Sequence, residues 1–258
     1  MTLSGKVVLV TGASRGIGLA VARAFAQSGC RVILNSATDE DAGELAVREI
    51  IDAGGVALYH RANASDPDEV DRLFAAAEGA FGSVEILVNN AGRTEPAAFV
   101  LPDGAPPDLK ATRDHWLAML EVNLLSTVLC SQRAAPPMLT LGHGVIINTS
   151  SIRGIDANGR EGIMAYSAAK AGVHNFTRTL AKQLAPTVRV NAVAPGFVAT
   201  SYMDRTDDEM KAAWLDAIPL GRFITPDEVA QAYIYLAESP VATGTVLTLD
   251  AGFTLGKG

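Results

Sequence analysis

The hydrophobic positions of the chain fall into two alternating patterns. Short runs of Val, Ile and Leu are apolar at nearly every position, which is typical of strands buried on both faces of a parallel sheet. Longer segments between these runs repeat their apolar positions with a helical period. We predict strands at 6–10, 31–34, 56–59, 86–88, 145–148, 188–193 and 246–249. We predict helices at 18–28, 39–53, 67–80, 113–138, 165–185 and 226–237.

This regular alternation of strand and helix predicts the fold class. It indicates an α/β protein with a doubly wound, seven-stranded parallel sheet, helices on both faces and right-handed crossovers, the Rossmann fold. Two helices have clear start signals, because Asp66 precedes Pro67 and Thr225 precedes Pro226. The sequence contains no internal repeat, linker or low-complexity segment, so we expect a single domain over 1–258.

Two segments interrupt the alternation. Segment 95–110 is rich in Pro, Gly and Ala and is predicted to be a surface loop. Segment 200–225 contains a short helical pattern at 207–217 and follows the sixth strand. Because ligands in such sheets bind outside the carboxyl ends of the strands, we predict that 200–225 is a lid over the substrate. A plain surface connection is the alternative.

Composition and charge exclude several classes of partner. The 258 residues, 48% hydrophobic and 19% charged, suit one large α/β domain. A net charge of -7 disfavours nucleic acid or an anionic membrane as the main partner. No run approaches the roughly 20 apolar residues that span a bilayer, and the N-terminus lacks a signal-peptide pattern. Cys30 and Cys130 lie far apart and the four His lack metal-ligand spacing, so we expect a cytoplasmic protein without a metal.

A glycine-rich segment follows the first predicted strand. Gly12, Gly16 and Gly18 have the spacing G-x-x-x-G-x-G and lead into the first helix. Such glycines permit a tight turn and let the backbone approach a pyrophosphate, to which the helix presents N–H groups and the positive end of its dipole. A simple tight turn is the alternative, but the position between strand and helix favours a dinucleotide site.

This spacing resembles that of the short-chain dehydrogenase/reductase superfamily, and the resemblance continues along essentially the whole chain. The motif N-N-A-G lies at 89–92, N-A-V-A-P-G-F-V-A-T at 191–200 and D-A-G at 250–252. Between them stand Asn123, the pair Ser150-Ser151 and the motif Y-x-x-x-K at Tyr166 and Lys170. The pattern is most similar to 3-oxoacyl-carrier-protein reductases and related sugar and small-alcohol dehydrogenases. The resemblance implies an NAD(P)-dependent oxidoreductase acting on a ketone or secondary alcohol, assembled as a homodimer or homotetramer.

The resemblance also implies the cofactor contacts. The three glycines would cradle the pyrophosphate, Asn90 would hold the adenosine ribose side, and Val198 with Thr200 would fix the nicotinamide carboxamide. Asn63 stands where the family has an Asp that binds the adenine amino group, and its amide oxygen can still accept that bond. The implied set is Gly12, Ser14, Arg15, Gly16, Ile17, Gly18, Asn35, Ser36, Asn63, Asn90, Ala91, Gly92, Tyr166, Lys170, Pro195, Gly196, Val198 and Thr200.

The end of the second strand bears on the choice of nicotinamide. NAD-preferring members carry an acidic residue there, which binds the ribose 2′-hydroxyl and repels a 2′-phosphate. Here the strand ends in Asn35 and Ser36 without a carboxylate, and Arg15 can face a 2′-phosphate. These features favour NADP(H). NAD(H) stays possible, since no second basic residue follows Ser36 directly, and Arg15 can equally be a solvated loop charge.

Tyr166 and Lys170 are four residues apart, so on a helix they share one face. A phenol has a reference pKa of about 10, which a nearby ammonium lowers toward the working range. Tyr166 is therefore the expected proton donor to the alkoxide that hydride transfer leaves, and the acceptor in the reverse direction. The resemblance assigns Lys170 a second role, binding the nicotinamide ribose hydroxyls, and has Asn123 anchor a water that relays protons through Lys170.

A serine hydroxyl is expected to hold the substrate oxygen beside Tyr166. Ser150 and Ser151 are both candidates, and alignment on the preceding strand favours Ser151. The loop from there to Tyr166 is slightly longer than is usual in the family. An Asn inside a helix is itself unusual, because its side chain competes with the helix backbone. The catalytic set we predict is Asn123, Ser151, Tyr166 and Lys170.

The substrate is predicted less closely. Segments 139–143 and 184–187, at the ends of two helices, contain no Lys or Arg, which favours a small free substrate over an acidic carrier protein. Arg153 can pair with a substrate carboxylate or face solvent, and Met203 and Trp214 can simply be core. A catalytically inactive dinucleotide-binding regulator is the rival class of function. An epimerase or dehydratase is a rival enzyme, disfavoured because such relatives usually have a longer C-terminal substrate region. The pocket candidates are Arg93, Thr94, Ile152, Arg153, Met203 and Trp214.

Overall fold

The computed structural model describes residues 2–102, 104–155, 162–204 and 206–256. Seven parallel strands form one sheet in the order β3-β2-β1-β4-β5-β6-β7. This confirms the predicted doubly wound α/β fold. The strands are β1 (Val7–Val10), β2 (Arg31–Ser36), β3 (Val56–Arg61), β4 (Ile86–Asn89), β5 (Gly144–Thr149), β6 (Val188–Pro195) and β7 (Val246–Leu249).

The helices lie where the helical periodicity predicts them, with most ends shifted by a residue or two. They are α1 (Gly16–Gln27), α2 (Glu40–Asp52), α3 (Pro67–Phe81), α4 (Leu109–Leu120), α5 (Ser126–Leu141), α6 (Met164–Leu184), α7 (Ser201–Asp204), α8 (Asp208–Ala217) and α9 (Pro226–Glu238). The two predicted caps are present: the Asp66 side chain accepts from Glu69 N, and Thr225 forms a capping box with Glu228. These caps satisfy N–H groups that would otherwise lack partners.

The central strands are apolar throughout because both faces of the sheet are covered. In β1, Val8 and Val10 belong to a core cluster shared with α1 and α9. Val7 and Leu9 point to the other face and pack in a second cluster with α3, α5 and α6. Each fully buried aliphatic side chain contributes roughly 1.5–3 kcal/mol to folding. The two clusters explain why the strands do not alternate with polar residues.

The predicted helix at 113–138 is wrong as one continuous helix. The structure has α4, then a π-helical turn at Glu121–Leu125, then α5. In the π-turn the buried Asn123 side chain donates to the carbonyl of Met119 at 3.0 Å. A side chain that enters the backbone hydrogen-bond pattern is a recognised cause of such bulges, which are frequent at functional sites.

The two interrupting segments are mostly as predicted. Segment 95–110 is irregular until Asp108, whose side chain accepts from Lys110 N and Ala111 N and starts α4 at Leu109. The predicted loop is therefore slightly too long. Segment 200–225 contains the short helix α7 and then α8, which matches the helical pattern expected at 207–217. Position 103 of the loop, 205 of the lid and 156–161 before Tyr166 lie outside the described residues.

An ion cluster lies at the edge of the sheet opposite the glycine-rich turn. Glu85, just before β4, accepts from Lys6 Nζ at 2.5 Å and contacts His143 Nε2 at 2.7 Å. Burial raises the pKa of Glu85, but the bonds from Lys6 and His143 outweigh it and hold the pKa below its usual range. The stabilisation of the fold by Glu85 is therefore complete above the unfolded-state pKa of a glutamate, about 4.3. It is lost as the pH falls through the lower folded-state pKa of Glu85.

Replacing Glu85 with Gln should therefore flatten the acid side of the stability profile. At pH 7 we expect the free energy of unfolding to fall by roughly 1–3 kcal/mol, as for other charge-assisted hydrogen bonds. As the pH falls through the folded-state pKa of Glu85, the variant and the wild type should converge. Urea unfolding from pH 3 to pH 8 measures this, with Glu44→Gln on the exposed face of α2 as the control. An unchanged pH dependence in Glu85→Gln would contradict the assignment.

Within the described ranges, no helix combines the length and the apolar character needed to cross a membrane. The same ranges contain no group of three or more His, Cys, Asp or Glu side chains arranged to hold a metal ion.

Candidate active site

The residues singled out in the sequence gather at one edge of the sheet, where β1, β4, β5 and β6 end. β1 and β4 are neighbours in the sheet although β2 and β3 lie between them in the chain. The strand order reverses at that point, which is where α/β sheets bind ligands. The glycine-rich turn follows β1 and the N-N-A-G motif follows β4, so the two motifs lie side by side.

The glycine-rich turn is closely packed and has no room for side chains. Gly12 and Gly16 have φ of +64° and +59°, a region that favours glycine. A Cβ at Gly12 would lie 2.9 Å from Ala91 Cα, and one at Gly18 would lie 2.3 Å from the Gly12 carbonyl oxygen. Helix α1 begins at Gly16 with no side-chain cap, so its first N–H groups face the turn. The turn therefore fits a pyrophosphate approaching the backbone.

Asn90 and Thr11 join this turn to the N-N-A-G motif. Asn90 Nδ2 donates to the carbonyls of Thr11 at 3.1 Å and Gly12 at 3.0 Å. Thr11 Oγ1 accepts from the N–H groups of Asn90 and Ala91, both at 3.0 Å. The Asn90 side chain thus points into the turn, whereas the resemblance implies a contact to the adenosine ribose. The role of Thr11 has no signal in the sequence beyond its place before the first glycine.

The end of β2 contains more charge than the sequence pattern indicated. Arg15 Nη1 lies 3.2 Å from Asp39 Oδ2, so a carboxylate does stand near the expected 2′-position, three residues beyond Ser36. Ser36 is buried and shares a 2.8 Å hydrogen bond with the Tyr59 hydroxyl. Asn35 is also buried and donates to backbone carbonyls of the β3 segment. The Asn35 amide therefore has a structural partner, and Arg15 and Asp39 are the exposed groups.

The remaining cofactor candidates lie along the same edge. Asn63 Oδ1 accepts from Ser65 N at 3.0 Å, and the residue is exposed. The Thr200 side chain lies beside the turn, since a Cβ built on Gly16 would be 3.5 Å from Thr200 Cγ2. Ser14 is buried, and Ile17 packs on the core. Pro195 ends β6, Gly196 packs against Asp250, and Val198 forms a β-bridge with Ile224.

The structure distinguishes the two serines. Ser150 Oγ donates to the Lys170 carbonyl at 3.1 Å, so its hydroxyl proton is engaged in the core. The Ser151 hydroxyl accepts from Arg153 N at 3.1 Å and hydrogen bonds to the hydroxyl of Tyr166. Ser151, and not Ser150, is therefore the serine that the fold brings to Tyr166.

The surroundings of Tyr166 shift its pKa in both directions. Burial is the largest effect and raises the pKa. Hydrogen bonds from Ser151 and Thr94 and the positive charge of Arg153 lower it, without reversing the upward shift. The four-residue spacing of Tyr166 and Lys170 predicted that the lysine lowers the pKa of Tyr166. In the structure Lys170 Nζ lies 5.8 Å from the centre of the Tyr166 ring, on its face, and donates to the Thr149 carbonyl at 2.8 Å.

Lys170 and Asn123 meet at Gly92. A Cβ on Gly92 would lie 2.7 Å from Asn123 Oδ1 and 3.4 Å from Lys170 Nζ, so glycine is needed for this approach. Asn123 also accepts from Arg93 N at 3.1 Å and donates to the Arg93 carbonyl at 2.9 Å. Burial lowers the pKa of Lys170 to about 8. Lys170 can therefore gain or lose a proton close to neutral pH. Asn123, beside it, fixes the backbone at Arg93.

Two further residues position the site without a clear sequence signal. The Thr149 hydroxyl bonds to the buried Tyr233 hydroxyl at 2.7 Å and donates to Asn90 Oδ1 at 3.3 Å, while its carbonyl holds Lys170. Gly154 packs the serine turn directly on α6, where a Cβ would lie 2.6 Å from the Lys170 carbonyl carbon. Because both contacts join elements distant in sequence, periodicity could not reveal them.

Comparison with known proteins decides the family. The family model described as enoyl-(acyl carrier protein) reductase matches residues 12–254. A 3-oxoacyl-[acyl-carrier-protein] reductase of Synechocystis sp. is 41% identical over 98% of both chains. The relative of the same name from Thermotoga maritima is 38% identical over 99% of this chain and all of its own. The cis-4-hydroxycyclohexanecarboxylate dehydrogenase of Sinomonas cyclohexanicum is 38% identical over 96% of each chain. The chain belongs to the short-chain dehydrogenase/reductase family.

As a short-chain dehydrogenase/reductase, the chain is an oxidoreductase that uses a nicotinamide cofactor and acts on a carbonyl/alcohol pair of a small molecule. The structure offers an independent test of fit. The glycines at 12 and 18 let the turn pack closely against Ala91 and Asn90, and the first N–H groups of α1 face the turn without a side-chain cap. Thr200 lies beside the turn at Gly16. The residues present therefore fit a dinucleotide.

The predicted pocket residues lie beside Tyr166 or in a small apolar cluster near it. Thr94 hydrogen bonds to Tyr166, whereas Arg93 is more than half exposed and pairs with Glu95. Ile152 and Met203 are buried with Phe197 and Ile218, and Trp214 stacks on Phe197 with ring centres 4.5 Å apart. Met203 and Trp214 thus pack in the core of this cluster, as the alternative interpretation of the sequence had it, and Ile152 is buried with them.

Segments 139–143 and 184–187, which lack Lys and Arg, lie too far from the site to bear on carrier-protein binding. Segment 139–143 ends α5 just before β5 begins, and 184–187 ends α6 just before β6 begins. Both segments therefore lie at the opposite edge of the sheet from Tyr166. In a parallel sheet each helix returns the chain to the edge where the next strand starts. The absence of Lys and Arg at these helix ends therefore gives no information about the entrance of the site.

Proposed function

We propose that Tyr166 is the general acid/base of this reductase and that Ser151 holds the substrate oxygen beside it. The observation that carries this proposal is the hydrogen bond between the Ser151 and Tyr166 hydroxyls, with Lys170 against the tyrosine ring. Two hydroxyl donors meeting at one point are suited to an oxygen on which negative charge develops. The arrangement suits carbonyl reduction to a secondary alcohol, or its reverse.

Each residue has a distinct part in the reaction. The nicotinamide supplies the hydride when bound. Ser151 accepts a hydrogen bond from Arg153 N, which leaves the serine proton to be donated to the substrate oxygen. Tyr166 donates its proton to the same oxygen as the alcohol forms. Lys170 lies on the face of the Tyr166 ring, and its pKa of about 8 suits it to return a proton to Tyr166. Asn123 holds the backbone at Arg93, beside Lys170.

The segment 200–225 is proposed to act as a lid. Met203, Trp214 and Ile218 from this segment pack on Phe197, which follows β6, and on Ile152, which follows Ser151. The segment therefore lies over the catalytic end of the sheet. Excluding water there would strengthen the hydrogen bonds that Ser151 and Tyr166 make to the substrate.

The substrate is proposed to be a small free ketone or secondary alcohol, as the printed name of the Sinomonas relative favours. A 3-oxoacyl thioester on a carrier protein is the second candidate, favoured by the printed names of the Synechocystis and Thermotoga relatives. Loss of absorbance of NADPH and NADH tests both, with small ketones, a 3-oxoacyl thioester and a 2-enoyl thioester as substrates. Turnover of ketones or 3-oxo compounds alone would support the proposal. Turnover of the enoyl compound alone, or tight cofactor binding with no turnover, would contradict it.

NADP(H) is the proposed cofactor, on the basis of Arg15. Its guanidinium is exposed at the end of β2, with Asp39 as its partner at 3.2 Å. An exposed ion pair contributes only about 0–1 kcal/mol, so a 2′-phosphate can compete for Arg15. We expect Arg15→Ala to lower the NADPH/NADH ratio of kcat/KM about tenfold. Asp39→Asn should raise the ratio severalfold, because it removes a negative charge that repels the phosphate.

Steady-state kinetics with both cofactors measures these ratios. Arg48→Ala, an exposed arginine farther along α2, is the matched control and should leave the ratio unchanged. If Arg15→Ala and Asp39→Asn shift the ratio in the same direction, or not at all, the two charges do not select the cofactor.

We further propose a homodimer or homotetramer. The helices that carry the catalytic residues also expose large apolar side chains, including Leu117, Leu125 and Met164, each about two fifths exposed. Such side chains on neighbouring helices are typical of a subunit contact. Light scattering of the purified chain distinguishes a monomer from these assemblies.

A reducing compartment such as the cytoplasm is proposed as the setting. Cys30 and Cys130 are both buried free thiols, and burial raises the pKa of each to about 12. Neither is therefore placed or activated for a disulfide.

A further inference from the structure

Arg153 is tied to the catalytic serine through its backbone. It lies in the short 3₁₀ turn Ile152–Gly154 that directly follows Ser151. Its N–H donates to Ser151 Oγ at 3.1 Å, so this residue sets the orientation of the hydroxyl that faces Tyr166. The Arg153 side chain therefore starts two residues from Ser151, on a turn that is hydrogen bonded to the serine hydroxyl.

The side chain is held on an aromatic wall. The guanidinium carbon lies 5.3 Å from the ring centre of Phe197 and 5.6 Å from that of Phe253. Phe197 is itself buried and stacked on Trp214. Such contacts contribute roughly 0.5–2 kcal/mol each and limit the rotamers of a long side chain. Arg153 is only partly exposed, so it is not the solvent-facing loop charge considered in the sequence.

A guanidinium in this setting suits an oxyanion. Its five N–H donors lie in its own plane, so contact with aromatic faces and binding of a carboxylate can occur together. The positive charge is close enough to the reaction centre to lower the pKa of the Tyr166 hydroxyl. An anionic substituent of the substrate would therefore be bound at the same side of the pocket as the reacting carbonyl.

We propose that Arg153 binds a carboxylate of the substrate, so that the substrate is an oxo acid or the corresponding hydroxy acid. This inference rests on the carbonyl reduction proposed above and names the class of compound on which that site acts. Arg153 is then a specificity-determining residue, and the positions of Phe197 and Phe253 select the direction in which it points.

A comparison of charged and neutral substrates tests the proposal. Oxo acids of two or three chain lengths, together with a 4-oxocyclohexane carboxylate, are compared with their methyl esters and with a neutral N-acetylcysteamine thioester. The kcat/KM of each is measured with the preferred cofactor. We expect the wild type to prefer acid over ester by about tenfold to 100-fold, the range for a charge-assisted hydrogen bond converted to a rate ratio.

The variants Arg153→Gln and Arg153→Lys locate the effect. Arg153→Gln should lose that acid/ester preference, mainly through a higher KM for the acid. Arg153→Lys should keep part of the preference, because it retains the charge but not the fork geometry. Arg113→Gln, an exposed arginine on α4, is the matched control and should leave the preference intact.

Each outcome distinguishes this inference from the proposed function. A wild type that reduces the ester or thioester as well as the acid, with no change of ratio in Arg153→Gln, would overturn the carboxylate assignment while carbonyl reduction stands. The acid/ester comparison in the wild type keeps the test valid even if Arg153→Gln does not fold. No turnover of any carbonyl compound by the wild type would instead overturn the proposed function itself.

Discussion

Replacing Tyr166 with Phe is expected to lower kcat/KM for carbonyl reduction by about 10²–10⁴-fold, the usual contribution of a general acid. The change removes one oxygen atom and leaves the ring, which packs over Lys170, in place. Dissociation constants for the nicotinamide cofactors should stay within about threefold of the wild type. Both quantities can be measured on the same preparation, by initial rates and by fluorescence titration.

The Tyr166→Phe result is interpretable only beside a matched change. Tyr235, on α9, is more than half exposed, and Tyr235→Phe should retain wild-type rates. A large loss in both variants would indicate a general effect on folding. Retention of activity in Tyr166→Phe would show that another group donates the proton, and Ser151 would then be the first to examine. Ser151 comes first because it hydrogen bonds to Tyr166 and is the serine proposed to hold the substrate oxygen, and Thr94, which also hydrogen bonds to Tyr166, would follow.

Replacing Gly18 with Ala is expected to weaken cofactor binding by at least about tenfold. The new Cβ would lie 2.3 Å from the Gly12 carbonyl oxygen, a backbone atom of the turn, and 2.5 Å from Asn90 Nδ2, which is held by hydrogen bonds to the Thr11 and Gly12 carbonyls. Relieving that overlap requires the turn to move away from Asn90. Overpacking of this kind typically costs about 1–3 kcal/mol. Thermal unfolding with and without cofactor measures the stability and the binding together.

Gly79→Ala is the matched control for Gly18→Ala. Gly79 also lies inside a helix, α3, but it is exposed, and a Cβ there would meet nothing within 4 Å. That substitution should raise the free energy of unfolding by about 0.5–1 kcal/mol, because alanine loses less backbone entropy in a helix. If Gly18→Ala bound the cofactor as tightly as the wild type, the close packing of the turn would not be what shapes the site.

Several boundaries shifted between sequence and structure for a physical reason. The apolar pattern of β2 stops at Leu34, yet the strand continues to Ser36. Asn35 and Ser36 are polar but buried, and their side chains are satisfied by the β3 segment and by Tyr59. Hydrophobicity cannot detect a buried polar residue whose partner lies on another strand.

The broken helix around Asn123 illustrates the same limit. The periodicity of 113–138 is helical on both sides of the π-turn, so the sequence predicts one helix. The interruption depends on the Asn123 amide, which binds Met119 within the helix and Arg93 from a distant loop. Asn is a poor helix former, and that was the only local signal of the interruption.

The sequence by itself determined the fold class, the order of strands and helices along the chain, and the types of residue that carry the chemistry. It did so because apolar runs, caps and glycines act locally, and because Tyr166 and Lys170 share a helix face by spacing alone. Tertiary structure decided which serine meets Tyr166, that Asp39 faces Arg15, and that Arg153 packs on Phe197 and Phe253. These contacts join segments far apart in the chain, and only the packing of the sheet and its loops brings such segments within hydrogen-bonding distance.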